Sequence, residues 1–559
     1  MDNDTIAGQL KLLSKLLEIH GENIFKARSY ANAAYQIERL TFPLEEMNTE
    51  DILLTKGIGE AIGKKILELL QTGHFPLLEK YLEETPPGIL EMLHIKGLGP
   101  KKIATIWKDL EIETLGELLY ACNENRLTLY KGFGEKTQES IRQSIEFYLA
   151  SKGRFLYAGI ATYALSLEKD LQEQYATEQT SLTGDFRRQA EIIDQLELVT
   201  TISHATLQQA FQPPWQVVEE SAEHLLIKSP ENIHVKFYCC PKDIFAVTLF
   251  RTTGHTGFLD GAPFEISAAS FSGLEKEEEI FMQVGFPYIL PCLRESSGIW
   301  QKARDGQLPK LIADEDIRGV IHTHSTWSDG NDSLEKMAVA ARDKGYEYLV
   351  ISDHSRSAFY ANGLQADRVR AQQKEIAGLN AKLAPFRIFS SIESDILSDG
   401  QLDYPDEILK TFDLVIASVH SNLKMDEQKA MQRLLRAIEN PYTTILGHPT
   451  GRLLLSRPGY PVDHRLLIDA CIHHHVVIEI NAHPRRLDLD WRWVSYACEN
   501  NALLSIDPDA HSIEGFADIH YGVLAAQKGG LDAQHNLSSF SRQELENFLQ
   551  QCKSKQAIQ

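Results

Sequence analysis

Cysteine is scarce and unpatterned: seven in 559 residues, with no C-x-x-C pair. That excludes a disulfide framework and a thiolate zinc site of the finger type, and an odd, scattered set fits a reducing cytosol. No apolar run is long enough to span a bilayer, and the opening MDNDTIAGQLKLL has neither a basic start nor a cleavage pattern. A cytoplasmic protein with no membrane partner is therefore expected. Positive charge is short too: 56 Lys and Arg stand against 78 Asp and Glu, a net charge of −22. This excludes a uniformly basic surface and leaves any nucleic-acid binding to local patches. Hydrophobic and charged fractions are ordinary for a globular chain, and the length predicts three or four domains.

Histidine and carboxylates, by contrast, recur at the ends of apolar runs. RGVIHTH carries His322 and His324, with Asp329 following in STWSDG; YEYLVISDH ends in Asp353-His354. SSIESDIL supplies Glu393 and Asp395, DLVIASVH ends in His420, TTILGHP in His448, and LLSIDPDAH in Asp507, Asp509 and His511. An apolar, β-branched run ending this way reads as a buried strand that delivers a ligand at its C-terminal mouth. Strands converging on one rim can collect imidazoles and carboxylates around more than one divalent ion, which suits phosphoester hydrolysis. A lone His at a strand end is more often a satisfied residue than a ligand, but here the pattern repeats strand after strand. Asp353 also reads as a helix N-cap. Asp353, Asp395 and Asp507 each neighbour a better candidate and read as residues that orient it. His473, His474 and His475 precede the strand VVIEIN, at its wrong end, and read as solvent-facing.

HTHSTWSDG, SDHS, ESDIL, SVHS, GHP and DAHS together resemble the PHP (polymerase and histidinol phosphatase) family over residues 316–545, in the family's order. The resemblance implies a distorted (βα)7 barrel with two to three divalent metals, Zn or Mn more than Mg, at the C-terminal rim. Its ligands would be His322, His324, Asp329, His354, Glu393, His420, His448, Asp509 and His511, with His322, His324, Glu393 and Asp509 at the heart of the chemistry. Glu393 can bridge two ions, because one carboxylate has two oxygens.

The first 150 residues are helical by pattern. ILLTKGIGEAIGKKILELL repeats as MLHIKGLGPKKIATIWKDL and more loosely as LTLYKGFGEKTQESIRQSI. Each unit is a helix, a G-h-G hairpin (Gly57 and Gly59; Gly97 and Gly99; Gly132 and Gly134) and a second helix whose N-terminus faces a phosphate. Lys64, Lys65, Lys101 and Lys102 add charge without reading sequence. These units resemble helix-hairpin-helix motifs. With FKARSYANAAYQI, where Lys26 and Arg28 are candidate phosphate contacts, they are similar to the lyase-type domain of family X DNA polymerases. Lyase chemistry needs a lysine amine of lowered pKa, and the sequence singles none out.

The whole chain resembles bacterial family X polymerases joined to a C-terminal PHP domain. Expected are a lyase-type helical domain (1–85), a fingers-like hairpin domain (86–152), a nucleotidyltransferase-like α+β palm and thumb (153–308) and the barrel (316–559). The palm departs from the family pattern. Its phosphate loop reads Gly184-Asp185-Phe186-Arg187-Arg188, with an acid where triphosphate would bind. Asp194 matches the first of two expected aspartates, Leu196 stands in place of the second, and Val235 in place of a third carboxylate. Glu197 would face the other way. RTTGH (Arg251 to His255) replaces an aromatic-rich turn. Two-metal nucleotidyl transfer needs carboxylates on one face, so a palm retaining only Gly184, Arg187 and Asp194 is expected to be vestigial.

The reading is a 3′→5′ exonuclease or phosphodiesterase acting on gapped or single-stranded DNA ends without sequence preference. The rivals are a bifunctional gap-filling polymerase with exonuclease, a histidinol-phosphatase-like enzyme of small phosphomonoesters, and a non-catalytic DNA scaffold. Arg452 in GHPTGR and Arg485-Arg486 in NAHPRR are candidate DNA contacts, or equally surface ion pairs. The sequence suggests no protein partner.

Overall fold

The computed structural model describes residues 1–556 apart from 39, 41, 42, 56, 151 and 152; the domain boundary expected at 152 lies outside the described residues. Two compact units emerge: residues 1–123 with 127–148, and residues 124–126 with 149–559.

The first unit is helical. Helices α1 (Asn3–Ile19) and α2 (Ile24–Ile37) pack on each other through an apolar stripe that includes Ile6, Leu10, Leu13, Ala27, Ala33 and Ile37. The hairpins lead into α3 (Glu60–Thr72), α4 (Pro100–Lys108) and α5 (Glu135–Ala150). The first glycine of each hairpin is left-handed, with φ of 91° at Gly57, 91° at Gly97 and 96° at Gly132, a conformation L side chains avoid. The looser third repeat thus folds like the first two.

Among its described residues the second unit holds two large sheets and a short antiparallel pairing of Phe155–Leu156 with Ile192–Ile193. The palm sheet comprises β1 (Thr180–Leu182), β2 (Leu196–Thr200), β3 (Gln216–Glu220), β4 (His224–Lys228) and β5 (His234–Cys239), in the order β1-β2-β5-β4-β3. Only β2 and β5 run parallel. One face packs on a core containing Leu196, Leu198, Val235 and Phe237.

The other sheet is the barrel: β6 (Gly319–Thr323), β7 (Tyr348–Ile351), β8 (Arg387–Asp395), β9 (Leu414–Ser418), β10 (Ile445–Leu446), β11 (Val477–Asn481) and β12 (Leu504–Asp507). Each pairs in parallel with the next. A parallel bridge between Thr323 and Ala510 brings the first and last strands together, so the seven strands nearly close. The strands are buried along almost their whole length, as in a sheet covered on both faces, which is why they read as continuous apolar runs. Their C-terminal ends share one rim, and every candidate ligand lies on it.

Candidate functional site

The barrel brings ligands from six of its seven strand ends into one buried cluster. His322 sits on a bulge in β6, where the pairing with β7 shifts register, and its φ is 58°. His448 and Asp509 also take positive φ, 24° and 52°. Left-handed backbone at non-glycine residues costs about 1–3 kcal/mol each and survives where the surroundings impose it, typically at functional sites. Here it turns three side chains inward.

All nine expected ligands meet and are buried, the His420 side chain being only 4% exposed. Donor atoms of all but His448 form three overlapping groups: His324, Asp329, His354 and His511; His322, His324 and Asp509; His354, Glu393 and His420. Glu393 is central. Its Oε1 lies 3.3 Å from His322 Nε2 and 3.0 Å from both His420 Nε2 and His448 Nε2. Its Oε2 lies 2.8 Å from His354 Nδ1. The two oxygens face different sets of imidazoles.

Electrostatics follow from this crowding. Burial disfavours ionised Glu393 and Asp509, but the surrounding histidines outweigh it and hold both carboxyls well below the usual range. Burial likewise disfavours a charged His322, yet Glu479, Asp509 and Glu393 hold it well above its ordinary value. His420 is raised to about 9, against burial, by Glu393 and Asp395. His324 falls to about 3 through burial and its neighbours His511 and His354. The carboxylates thus draw protons onto imidazoles that a divalent cation would displace, coupling metal binding to proton release.

The residues fit such ions. His322 Nε2, His324 Nδ1, Asp329 Oδ2, both ring nitrogens of His354, Glu393 Oε2 and His511 Nε2 are buried and in no hydrogen bond. Buried polar atoms are normally hydrogen-bonded, so this many on facing side chains marks donors directed at something other than protein. Mixed imidazole and carboxylate donors suit divalent transition metals.

A second layer fixes the first. Glu479, which the sequence reading passed over, accepts from His322 Nδ1 at 2.5 Å, from the His448 backbone N–H at 3.0 Å and from Asn481 Nδ2 at 2.9 Å. Asn481 also donates to Asp509 at 3.1 Å. One carboxylate in VVIEIN thereby ties ligands from three strands. Its only sequence signal is an acid in an otherwise apolar strand. Asp395 accepts from His420 Nδ1 at 2.6 Å. Asp353 is no helix cap: it accepts from the backbone and hydroxyls of Ser325 and Ser328 and from Gln372, holding the loop between His324 and Asp329. Asp507 lies behind Glu479, and burial followed by the Glu479 charge pushes its carboxyl well above the ordinary value. All three act behind the ligands. His473, His474 and His475 are exposed, away from the rim.

Arg452 is not a DNA contact. It is buried, bridges Glu191 and Asp490, and donates to the carbonyls of Arg486 and Leu487. A guanidinium so fully paired is a strut between palm and barrel. Arg485 is half-buried, and the neighbouring Arg486 lies 3.8 Å from Asp509 Oδ2.

The palm needs a correction of register. Leu196 and Val235 pair across β2 and β5, and both point into the core. With a period of two, the opposite face carries Gln195 and Glu197 beside Lys236 and Tyr238. That face lies under the phosphate loop: Gly184 has φ 61°, and a Cβ there would meet Glu197 Oε2 at 1.8 Å. The acid facing the loop is therefore Glu197, while Asp194 precedes β2, exposed, and accepts from Arg154 at 2.8 Å. Core alternation decided the register, and the motif match had shifted it by one. Glu197 accepts from Tyr238 Oη at 2.8 Å and Gln195 at 3.2 Å. Arg187 is held by Glu277 and Thr253, and Arg188 by Glu295, Asp185 and the Thr253 carbonyl.

In the helical unit, Gly59 and Gly99 precede α3 and α4, and a Cβ at Gly59, Gly97, Gly99, Gly132 or Gly134 would meet nothing within 4 Å. Packing does not demand glycine there, and the hairpins present bare backbone outward. Lys64 and Lys101 are exposed, Lys65 and Lys102 partly so; Lys64 pairs with Glu60, and Lys102 donates to the Gly97 carbonyl. Lys26 and Arg28 are exposed on α2, Lys26 3.7 Å from Glu22.

Comparison with known proteins agrees with this division. The helix-hairpin-helix domain family matches residues 1–75, and the SAM-like helix-hairpin-helix tandem family matches residues 89–146. A probable phosphatase of Caldanaerobacter subterraneus subsp. tengcongensis is 30% identical over 178 residues, covering 30% of this chain and 63% of that protein. A probable phosphatase of Thermoanaerobacter sp. (strain X514) is 31% identical over 153 residues, 24% of this chain and 60% of that protein. The DNA polymerase/3′-5′ exonuclease PolX of Bacillus subtilis (strain 168) is 33% identical over 579 aligned positions, covering 98% of this chain and 99% of that protein. With hairpins, palm and ligand-lined barrel in the same order over its full length, the chain belongs to the PolX family, the family X DNA polymerases that carry a C-terminal PHP domain.

Proposed function

We propose that this chain is a metal-dependent 3′→5′ DNA exonuclease or phosphodiesterase acting through its barrel rim, with a palm that positions DNA and no longer synthesises it. One observation supports the reading: nine imidazole and carboxylate residues from six strand ends meet in one buried cluster, and many of their donor atoms take no hydrogen bond. Two or three divalent ions, Zn or Mn, would be held by His322, His324, Asp329, His354, Glu393, His420, His448, Asp509 and His511. When bound, such ions supply the charge that polarises a phosphodiester and acidifies a water for attack. The protein's own part is to hold imidazoles in fixed tautomers through Glu479 and Asp395, to exclude bulk water from the cluster, and to keep Arg486 near the phosphate position. The hairpin glycines and lysines would grip the DNA backbone at gapped or single-stranded ends. A lyase-type domain, fingers, palm with thumb, and barrel complete the proposed organisation of a cytoplasmic repair protein.

A second reading is favoured by the Bacillus subtilis relative, whose name includes polymerase activity. Against synthesis stands the palm face, where Glu197 is accompanied by Gln195 and Lys236 instead of carboxylates, and where both loop arginines are taken by internal acids. A small-molecule phosphatase reading is disfavoured by the two hairpin modules. The test is 5′-labelled single-stranded and gapped DNA with Mn, with and without dNTPs, comparing the wild type with the His322→Ala/His324→Ala variant. Shortening that this variant abolishes supports the proposal. Template-directed lengthening by the wild type overturns the silent palm.

A further inference from the structure

Residues 124–126 belong to the C-terminal unit, although the chain on both sides belongs to the helical one. Each of the three has a partner in or beside the ligand cluster. Glu124 is 3% exposed, and its Oε2 lies 2.7 Å from His511 Nε2. At that distance a donor and an acceptor would normally share a proton, yet neither atom takes part in a hydrogen bond. Nor does Asp329 Oδ2, whose partner oxygen lies 3.4 Å from the same His511 nitrogen. Nitrogen and oxygen atoms that approach without hydrogen-bond alignment are disposed like neighbouring donors facing a common cation; with bonds of about 2.1 Å they stand roughly 3 Å apart. Asn125 hydrogen-bonds to Asn331, whose backbone N–H donates to the His511 carbonyl at 2.7 Å. The Arg126 guanidinium lies 4.9 Å from the Tyr360 ring centre, and that ring lies 6.3 Å from His354. The tripeptide thus abuts the surroundings of two ligands of one group, His354 and His511.

We propose that Glu124 is a further carboxylate ligand of this centre, completing the position formed by His511 and Asp329 from outside the barrel. The proposal rests on the metal-centre reading. A tenth donor from a segment separated from the barrel by nearly two hundred residues would make full metal loading depend on the docked tripeptide.

The test uses the full-length chain, stripped of metal and titrated with Co(II), read by bound metal per chain and by the visible cobalt spectrum. Glu124→Gln keeps the shape and removes the charge; Glu124→Asp keeps the charge. The expected result is that Glu124→Gln weakens one class of bound cobalt by at least about tenfold and alters its spectrum, with Glu124→Asp recovering part of both. An isotherm and spectrum of Glu124→Gln identical to the wild type would overturn the proposal, leaving Glu124 as an ion-pair partner of His511. A wild type that binds no cobalt would instead remove the metal centre on which the proposal stands.

Discussion

The palm face and the barrel rim present the same kind of chemistry in opposite states of satisfaction. Each is the open edge or face of a sheet, and each gathers charged side chains. At the rim, nine ligand candidates crowd together, and many of their buried donor atoms take no hydrogen bond. At the palm, Arg187, Arg188, Glu197 and Glu277 each find a protein partner. Leaving buried polar atoms without partners costs about 1–3 kcal/mol each, so a chain tolerates a cluster of them only where a ligand supplies the missing interactions. A site that has lost its ligand has no reason to bear that cost, and internal salt bridges can fill it. Under the proposed function this is the contrast between a working site and a relict one, and polar satisfaction marks it better than residue identity does. Asp194 and the loop arginines look catalytic in the sequence, and in the structure they are bound to the protein itself.

The sharpest way to break the comparison is activity. His322→Ala/His324→Ala should lower Mn-dependent shortening of 5′-labelled DNA by on the order of a thousandfold, since direct ligands supply several kcal/mol of transition-state stabilisation. The wild type given primer, template and dNTPs should not extend. Extension that Glu197→Ala abolishes would show that the palm face still works and erase the contrast.

Much of this was legible beforehand because the barrel strands are buried on both faces. A run such as DLVIASVH has one reading, an interior strand ending at a rim, and the polar residue that breaks it stands out. The palm was harder. Its strands are half-buried, so a one-residue slip exchanges the faces, and the motif match chose Leu196 where the core had already claimed it. Glu479 was missed because its role depends on β6 and β10 lying within reach of β11, a tertiary fact. Arg452 misled because a surface arginine and a strut between palm and barrel look alike in GHPTGR.

The palm side of the contrast can be sharpened through stability. Glu277 is buried between Arg294 and Arg187, and although burial opposes its charge, the two guanidiniums hold its pKa down to about 2. Glu277→Gln should destabilise the C-terminal unit by about 3 kcal/mol in urea unfolding, because Arg294 is left buried without its counter-ion. The sign of the pH effect follows from the lowered pKa. The stabilisation is complete above the unfolded value near 4.5 and is lost as pH falls from there towards 2. The wild type should lose stability across that window, and the variant should lose less. Equal acid limbs would mean that the loop arginines are held by something else and remain available to phosphate.

On the rim side, Glu479→Gln is a finer probe. An amide there can still meet His322, but it can present its donor instead of its acceptor, so the imidazole is no longer locked with Nδ1 protonated. Metal retention and exonuclease rate should fall by about tenfold to a hundredfold, less than for loss of His322 itself. Added Mn should restore part of the rate, since the ligands remain. A variant indistinguishable from the wild type would show that strand geometry alone orients His322.

The smallest effect lies in the helical unit, which the comparison of palm and rim leaves untouched. Lys64 and Lys101 stand exposed at the first turns of α3 and α4, beside hairpin backbone that faces outward. If they meet phosphates, each substitution by alanine removes one charge contact and releases about one fewer counter-ion on binding. DNA affinity should then fall by only a few-fold, equally for every sequence, and the slope of log K against log salt should flatten by about 0.7–0.9 per lysine. Cleavage of a short phosphodiester that does not reach the hairpins should stay unchanged. An unchanged salt slope would place the DNA elsewhere on the chain. A drop in affinity that varied with sequence would mean that the hairpins read bases, which neither bare glycine backbone nor a lysine point charge is equipped to do.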